Sequence, residues 1–497
     1  MSMIIKRKNY FVFFVLIAIC QKVSASAPDD FEFNGINYHI SDDGKSLIVC
    51  KKESGYEGHV IVPDSVFRDG KNYPVTAIST YAFADCDELK SVSLKCKIKE
   101  IPQNCFERSH NLETVELPEG IEYIRYEAFK NSGLRNINLP EGLLKIEGHA
   151  FDGTNVEHVV LPSTLKGLLG DWNFYNCQQL QSLVIPGSIF RLLPNTVRSC
   201  KRLKKIELGE GLVYLDDSFS ECDSLESLEI PSTVKYIDGY WSSYRLQRIR
   251  VDSNNKWYDS RNDCNALIET ATNKLILGCI NTVIPEDVTS ISGAFRHCEG
   301  LKTALLPANI ESMDADAYGK NQLDSIIIQD SKELIRLNWN AFSAYFSDGA
   351  YSTAKYLYMG RNASNYKKPA FENCPKLETI VIGEYVDSLS MEGCNSRVCI
   401  YAKRQNPQDF KFDFGDDTEN VFENATLYVP KGTREQYMAT EGWKNFANIV
   451  EGDVTAIPSV HPESENDGTV YDLNGRRVKT PTTKGIYIQN GKKVVIR

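Results

Sequence analysis

The chain has 497 residues, with 56 basic and 66 acidic side chains and a formal net charge of -10. The first 25 residues hold four basic and no acidic residues, so the remainder carries 52 basic against 66 acidic residues, a charge of -14. This acidic balance argues against nucleic acids and other polyanions as general partners.

Residues 1–25 have the pattern of a secretory signal peptide. Basic residues at positions 6–8 precede an apolar run from Phe11 to Ile19, and Val23-Ser24-Ala25 is a small-residue cleavage site. A membrane span takes about 20 apolar residues, so this run is too short, and no second run follows. We expect cleavage after Ala25 and a mature chain that is secreted or held at the outer cell surface. Cys20 leaves a lipoprotein alternative open.

From residue 81 to 251, a large apolar residue recurs every 22 or 23 positions. Each unit, here called a rung, has an Ala-Phe-like pair, a small or thiol residue three positions later, and then Leu-x-x-Ile-x-Leu-Pro. Apolar residues two apart, such as Leu228 and Ile230, predict a short strand with one buried face. The fixed period predicts a solenoid whose stacked parallel strands share one core. The recurring residues are Phe83, Phe106, Phe129, Phe151, Phe174, Val197, Phe219 and Trp241.

The period fails in two places. Residues 252–290 form an inserted segment in which two apolar triplets, 266–268 and 275–277, flank Thr270-Ala271-Thr272-Asn273, a pattern typical of a β-hairpin. Rungs resume over residues 291–426, but one irregular long rung there is rich in Tyr, Ser and Ala. Insertions in solenoids often carry binding, so both segments are candidates for function.

The repeated pattern resembles the BspA-like leucine-rich repeat family of bacterial surface proteins, over residues 82–394. The resemblance implies an α/β leucine-rich repeat solenoid of mostly short parallel β-strands, with turns and short helical segments. It also implies an amino-terminal β cap over residues 26–80, from motifs such as Phe33-Asn34-Gly35-Ile36-Asn37-Tyr38, and a carboxy-terminal cap of a strand and a helix over residues 427–452. Terminal caps are what a solenoid requires, because its end rungs otherwise expose their core.

The carboxy terminus differs from the rest of the chain in composition. Residues 453–468 contain Pro458, Pro462 and several acids, which indicates a linker. Residues 469–497 carry seven basic residues and one acid, and their pattern predicts three short strands with Asn-Gly turns at 474 and 490. This module is similar to the sorting tails of secreted proteins in the same bacterial phylum, which implies export or surface attachment. A plain structural end-piece is the alternative.

Thirteen cysteines follow the signal sequence, and most do not fit a disulfide framework. Several share the position three residues after the large apolar residue, where other rungs have Ser109, Ser132, Thr154 or Asn321, so we interpret them as small buried side chains. Side chains on successive rungs point the same way, which is poor disulfide geometry. The pair Cys264 and Cys279 stays open as a disulfide across the hairpin. The shared-position cysteines are Cys86, Cys177, Cys200, Cys222, Cys298, Cys374 and Cys394.

The sequence lacks the usual marks of catalysis. It has no clustered metal-ligand spacing, no phosphate-binding loop and no nucleophile elbow. The seven histidines are scattered, and His158 on the sheet face is more simply a solvated side chain than a ligand. We therefore predict no enzymatic activity, no cofactor and no metal site.

The remaining candidates lie on the outward sheet face, where apolar residues on neighbouring strands offer a docking surface but also simply suit a β-strand. The leading hypothesis is a macromolecular partner, an extracellular protein or host matrix component, bound over an extended face with a few aromatic or Arg anchors. The alternatives are a structural envelope protein without a ligand, and a carbohydrate-binding accessory protein whose irregular-rung aromatics stack on sugars. The candidate residues are Val160, Val184, Arg250, Leu305, Ile327, Tyr351, Tyr356 and Tyr358.

Overall fold

The computed structural model describes residues 30–454 except 217, 240, 339–340, 347–348, 366–370 and 372, together with four backbone strands of the tail. The predicted signal peptide and most of the predicted linker lie outside the described residues. The chain divides into two compact units, residues 1–154 and 155–497. Each unit is described by itself.

The first unit begins with a five-stranded sheet. Leu47–Val49 pairs in parallel with Lys71–Ile78, and the other neighbours in this sheet are antiparallel. Tyr38 and Leu47 are buried beneath it. The strand order is Asp30–Phe33, Ile36–Ile40, Leu47–Val49, Lys71–Ile78 and Ser65–Arg68.

The rungs of the first unit build two parallel sheets, because each rung contributes one strand to each. We call these the first and second strands of a rung. First strands carry the Leu-x-x-Ile-x-Leu pattern and bury alternate residues, as Val92 and Leu94 show. The first strands are Gly58–Val62, Leu89–Leu94, Thr114–Glu116 and Asn136–Ile137, and the second strands are Glu100–Ile101, Tyr123–Ile124 and Lys145–Ile146.

The recurring phenylalanine occupies a tight turn. Glu127 and Asn131, two residues before and after Phe129, both have positive φ, at 54° each. This conformation aims the N–H groups of Phe129 and Asn131 at the carbonyls of Ala150 and Asp152 in the next rung, at 2.9 and 2.7 Å. The backbone of each turn is therefore bonded along the stack.

Inside these turns the phenylalanine rings form a continuous ladder. Neighbouring ring centroids lie 5.1 to 5.3 Å apart, with interplanar angles of 7° or less. All four side chains are fully buried. The ladder comprises Phe83, Phe106, Phe129 and Phe151.

In several rungs the side chain three positions after the large apolar residue bonds back to the preceding rung. In the first unit, the Ser109 hydroxyl donates to the carbonyl of Phe83. In the second unit, the Cys200 thiol donates to the Phe174 carbonyl at 2.9 Å, and the Cys222 thiol to the Val197 carbonyl at 3.1 Å. This shared geometry confirms the interpretation of the cysteines as small buried side chains.

All 13 cysteines among the described residues are free thiols. The disulfide kept open between Cys264 and Cys279 is therefore absent. The Cys279 thiol instead donates to the Asn265 carbonyl at 3.4 Å, and both cysteines are buried. Burial also raises the pKa of the Cys264 thiol to about 11, which keeps it protonated and unreactive.

The second unit starts with rungs of the same kind. Their large residues are buried, including Val197 and Trp241, which replace phenylalanine. Among the five first strands of these rungs, parallel pairing is interrupted once, between Lys205–Leu208 and Ser227–Ile230. The first strands are His158–Val160, Ser182–Ile185, Lys205–Leu208, Ser227–Ile230 and Arg248–Val251, and the second strands are Gly167–Leu168, Ile189–Leu192, Tyr214–Leu215 and Tyr236–Ile237.

The inserted segment enters a seven-stranded sheet of second strands. Leu267–Glu269 and Lys274–Leu277 pair antiparallel at the position of the expected hairpin, and Lys274–Leu277 then continues in parallel with Ser290–Ile291. A 3-10 helix, Arg261–Asp263, precedes them. The strand order is Tyr258–Asp259, Leu267–Glu269, Lys274–Leu277, Ser290–Ile291, Ser312–Met313, Ile335–Leu337 and Ala363–Asn365.

The later first strands make a seven-stranded, fully parallel sheet that includes the irregular rung and the carboxy-terminal cap. Two smaller strand pairs flank it, Ala344–Phe346 with Gly349–Tyr351 and Ser388–Ser390 with Lys411–Asp413. Its strands are Thr303–Leu306, Ser325–Ile328, Tyr356–Arg361, Thr379–Tyr385, Cys399–Ala402, Thr426–Pro430 and Asn448–Gly452.

Helices are short in this part of the chain. Thr418–Asn424 and Arg434–Ala439 are α-helical, and Gly415–Asp417 and Trp443–Asn445 are 3-10 turns. Trp443 and Tyr437 are buried under the end of the sheet, as a cap requires. The described residues hold no helix that combines the length and apolar character of a membrane span.

The tail has four strands where the sequence predicted three. Two strands, Val470–Asp472 and Arg477–Val478, lie where the first strand was predicted, and they pair antiparallel. Gly485–Gln489 and Lys492–Ile496 complete the antiparallel sheet. The prediction of three strands is wrong, because it takes residues 470–478 as one strand although it places an Asn-Gly turn at 474 within them.

Candidate partner-binding face

The seven-stranded sheet of first strands has one face in the core and one face pointing outward. Residues such as Ala304, Ile326 and Ile380 belong to the buried core of this unit. The residues that alternate with them point outward, two from each strand. None is charged, and we call this surface the uncharged face. It comprises Thr303, Leu305, Ser325, Ile327, Tyr356, Tyr358, Thr379, Val381, Cys399, Tyr401, Thr426, Tyr428, Asn448 and Val450.

Tyrosines dominate one column of the uncharged face. Tyr358 stands in register between Ile327 and Val381. These two aliphatic side chains point outward but are only 7% and 1% exposed, because larger neighbours on a parallel sheet cover small ones. Tyr401 and Tyr428 stack with ring centroids 4.6 Å apart. The column therefore presents ring edges and hydroxyl groups to solvent.

Tyr358 is the most constrained of these tyrosines. Its hydroxyl donates to Asp330 Oδ2 at 2.8 Å, and Lys403 Nζ lies 5.2 Å from its ring centroid. Burial, followed by the interaction with Asp330, raises the pKa of Tyr358 well above its ordinary value. Burial also raises the pKa of Tyr356. Both phenols remain neutral hydrogen-bonding groups at any physiological pH.

Charged residues mark the border of the uncharged face, where the strands begin. Lys302 and Asp324 immediately precede two neighbouring strands, with their charged atoms 4.0 Å apart. Lys355 and Glu378 precede the next two, 3.7 Å apart. Charged residues therefore border the uncharged face on the side where its strands begin.

Three of the five earlier first strands of the same unit carry charge at the equivalent outward positions. Lys205 pairs with Glu207, and Glu229 stands opposite Arg250 in the register. A groove runs over these strands, with Ser260 and Asp263 of the inserted segment in its wall. The absence of charge is therefore a property of the later sheet and not of every rung.

Comparison with known families accounts for the repeated pattern. Residues 71–169, 122–247 and 276–396 match the BspA type leucine rich repeat region, in six copies. The chain belongs to the BspA-type leucine-rich repeat family. This confirms both the resemblance and the predicted fold class. A search of curated proteins found no significant match.

Several solved structures are similar to this chain. A leucine-rich repeat protein from Bacteroides ovatus is 19% identical, with a TM-score of 0.52, over 85% of this chain and 99% of the other. A leucine rich cell surface protein from Faecalibacterium prausnitzii is 18% identical, with a TM-score of 0.46, over 84% and 99%. The pneumococcal vaccine antigen PcpA is 19% identical, with a TM-score of 0.40, over 85% and 98%. At these identities the likeness concerns the fold alone.

Within this BspA-type chain, four of the candidate residues come together on the uncharged face. Leu305 and Ile327 are register neighbours, and Ile327 is next to Tyr358. Tyr356 is on the same strand two residues before Tyr358, so it points the same way. The irregular rung therefore contributes to the outward sheet face. From the sequence alone, the irregular rung and the sheet face are two separate candidates.

The other four candidates lie elsewhere. Val160 is 65% exposed beside Val184, and Glu207 follows in register. Arg250 is 4.0 Å from Asp263 in the charged groove. Tyr351 belongs to the small strand pair, with Lys376 Nζ 5.6 Å from its ring.

Two important members of the uncharged face, Tyr401 and Tyr428, were missed. Their signal was present, because Cys-Ile-Tyr-Ala and Leu-Tyr-Val-Pro have the strand pattern with tyrosine at an outward position. In the sequence, Tyr428 belongs only to the cap motif, and Tyr401 follows no recognisable rung.

Within the part of the chain that the structure describes, no three His, Cys, Asp or Glu side chains are placed to hold a metal ion. His158 is exposed, with its Nδ1 2.8 Å from Ser182 Oγ. The absence of enzymatic activity stays a prediction.

Proposed function

We propose that the chain is an extracellular binding protein whose uncharged face docks a protein partner, as in adhesion or host interaction. The single observation that carries this proposal is the lack of charge at both outward positions of seven successive strands. A solvated strand face costs little to decorate with charged residues, and three of the five earlier first strands of this unit carry them. Contiguous uncharged surface on a protein of high net charge is a sign of a partner.

The chemistry of the uncharged face favours polypeptide over sugar. Tyr401 and Tyr428 each cover one ring face of the other, which reduces the ring area that could stack on a sugar. Ring edges and phenol hydroxyls instead suit the mixed apolar and hydrogen-bonding surface of a protein, where tyrosine is a frequent anchor. The carbohydrate alternative gains no support from these residues.

An extracellular location completes the proposal. The signal-peptide pattern of residues 1–25 and the sorting-tail resemblance of residues 469–497 support export and surface attachment. Family membership is consistent with that location. A structural envelope protein without a ligand is the competing function.

The test places a charge in the centre of the uncharged face. Thr379→Lys and Thr426→Lys put an ammonium group among the tyrosines, where a docked partner would have to desolvate it. We expect binding to immobilised collagen, fibronectin or laminin, or to intact epithelial cells, to weaken by at least about tenfold, as for a desolvated charge at an interface centre. Circular dichroism checks that the variants remain folded.

Ser227→Lys is the matched control, because Ser227 is an outward strand residue beside the charged groove. Equal losses in the control and the test variants would contradict a role for the uncharged face. If the native chain binds none of these proteins or cells, the structural envelope function replaces the proposal.

A further inference from the structure

The amino-terminal end of the first-strand sheet is open. Gly58–Val62 is the edge strand of the four-stranded sheet in the first unit, and it pairs only with Leu89–Leu94. No other strand among the described residues joins its far side. Edge strands of this kind offer a row of unpaired backbone groups to another chain.

The free groups can be assigned to two residues. The Gly58 N–H donates to the Glu88 carbonyl, and the Val62 carbonyl accepts from Lys95. The backbone N–H and C=O groups of alternate residues in a parallel strand point to opposite sides. Those of Gly58, Val60 and Val62 therefore point to the neighbouring strand, and those of His59 and Ile61 point away from it. The N–H and C=O groups of His59 and Ile61 have no hydrogen-bond partner among the described residues.

Apolar side chains are also left uncovered at this edge. Ile61 is 64% exposed, among the most exposed large apolar side chains of the unit. Val60, which points toward the core, is only half-buried, whereas Val92 in the next strand is 1% exposed. The edge strand has no charged residue to discourage pairing, and Lys is the usual protection.

Asn448–Gly452, the last strand of the seven-stranded sheet of first strands, differs from this open edge. Arg434 Nε donates to the Ile449 carbonyl at 2.9 Å, so a side chain already occupies part of that edge. Glu451 in the same strand accepts from the Arg434 backbone N–H. The strand Gly58–Val62 has no equivalent side-chain contact to its backbone within the described range.

We infer that two copies of this chain associate through Gly58–Val62, with the two edge strands antiparallel about a two-fold axis at Val60. In this register His59 of each copy lies opposite Ile61 of the other copy. Each such pair exchanges two N–H···O=C bonds. All four free groups of each copy are then satisfied, in an isologous contact of the commonest symmetry.

The pairing pattern favours a second copy over an unrelated segment. The free residues, 59 and 61, are placed symmetrically about residue 60, so the strand is its own complement without a shift of register. The exposed Ile61 side chain would pack beside the His59 ring on the outward face, where His59 Nδ1 is 2.7 Å from Ser91 Oγ. Val60 would meet its own symmetry mate and close the open end of the core.

The first test measures the mass of the full chain over a concentration series by light scattering or sedimentation. We expect a dimer. Ile61→Pro removes one N–H donor from each copy, and Ile61→Lys places a charge at the paired edge, so each should weaken the dimer by at least about tenfold. Ser93→Lys is the matched control, since Ser93 is on the neighbouring strand, which is already paired. A chain that stays monomeric at all concentrations, or a dimer that Ser93→Lys weakens equally, overturns the inference.

A second variant tests the register directly. Antiparallel residues in a non-hydrogen-bonded pair have Cα atoms about 4.5 Å apart, within the range that a disulfide spans. Val60→Cys should therefore form an intermolecular disulfide on mild oxidation of the native protein, while Ser93→Cys should not. Dimers that fail to cross-link at residue 60 would place the contact elsewhere and refute this pairing.

Discussion

The phenylalanine ladder gives the largest testable effect in the first unit. Phe129 is fully buried, and its ring stacks between Phe106 at 5.1 Å and Phe151 at 5.3 Å. Phe129→Ala removes the ring and leaves a cavity between two rungs whose backbones are tied together on both sides. The turn cannot collapse, because the Phe129 and Asn131 N–H groups remain bonded to the next rung.

The magnitude follows from these contacts. Replacing a fully buried phenylalanine with alanine costs about 3–5 kcal/mol. Two ring pairs at about 0.5–1.5 kcal/mol each are lost as well, and part of that loss is already contained in the first figure. We therefore expect the free energy of unfolding of the first unit to fall by about 4–6 kcal/mol.

Urea unfolding followed by far-ultraviolet circular dichroism measures this loss. Phe129→Leu is the control, because it keeps much of the buried volume but not the stacked rings, so its loss should be clearly smaller than that of alanine. A decrease below about 1 kcal/mol for Phe129→Ala would be a surface-like value, and would show that the ladder is not the core of this unit. Equal losses for alanine and leucine would refute the reasoning from cavity size.

Three smaller effects test other parts of the rung. Cys200→Ser should leave the urea midpoint nearly unchanged because a hydroxyl can also donate to the Phe174 carbonyl, whereas Cys200→Ala should lower stability by about 1–2 kcal/mol. Asn131→Val should lower the melting temperature, with a cost of about 1–2 kcal/mol, because a β-branched residue tolerates the positive φ poorly, and Asn131→Gly should not. The hydrogen bond from Arg404 is the main cause of the lowered pKa of Asp387. The stabilisation from this ion pair is therefore present above the ordinary pKa of Asp, and it is lost as pH falls through the lowered pKa of Asp387. Arg404→Ala should therefore reduce the urea midpoint more at pH 7 than at pH 2, and an equal reduction at both would contradict this ion pair's role.

The repeating part of the fold could be predicted because its cause is local and recurs. One apolar residue every 22 or 23 positions, with the Leu-x-x-Ile-x-Leu pattern after it, determines both the buried turn and the buried strand face. Other rungs have Cys at the position equivalent to Ser109. This exchange likewise indicates a small buried side chain that can form a hydrogen bond. The bonds from Ser109 and Cys200 confirm that inference.

The candidate face was only partly predictable. Leu305 and Ile327 could be paired from the period, because their rungs keep the regular spacing. Tyr358, Tyr401 and Tyr428 follow them only if the strands of the irregular rung and the cap continue the same sheet, and their spacing does not follow the period. Where insertions between strands differ in length, the register of neighbouring strands is set by which strand edges meet. The assembled stack of rungs decides which edges those are.

The same limit applies to the open edge at Gly58–Val62. The sequence indicates an amino-terminal β cap, but not that the cap strands described in the structure leave the far side of Gly58–Val62 unpaired. Pairing partners separated by tens of residues decide this outcome. Local patterning therefore identifies the strand but not its free side.

The bonds between rungs also bear on how such a chain changes length. Each phenylalanine turn offers the next one the same carbonyls and the same flat ring, as the nearly identical geometry along Phe83, Phe106, Phe129 and Phe151 shows. A gene rearrangement that deletes or duplicates one whole period would join surfaces that already fit. The molecule can therefore gain or lose reach in steps of one rung, while both ends and the tyrosine face stay intact.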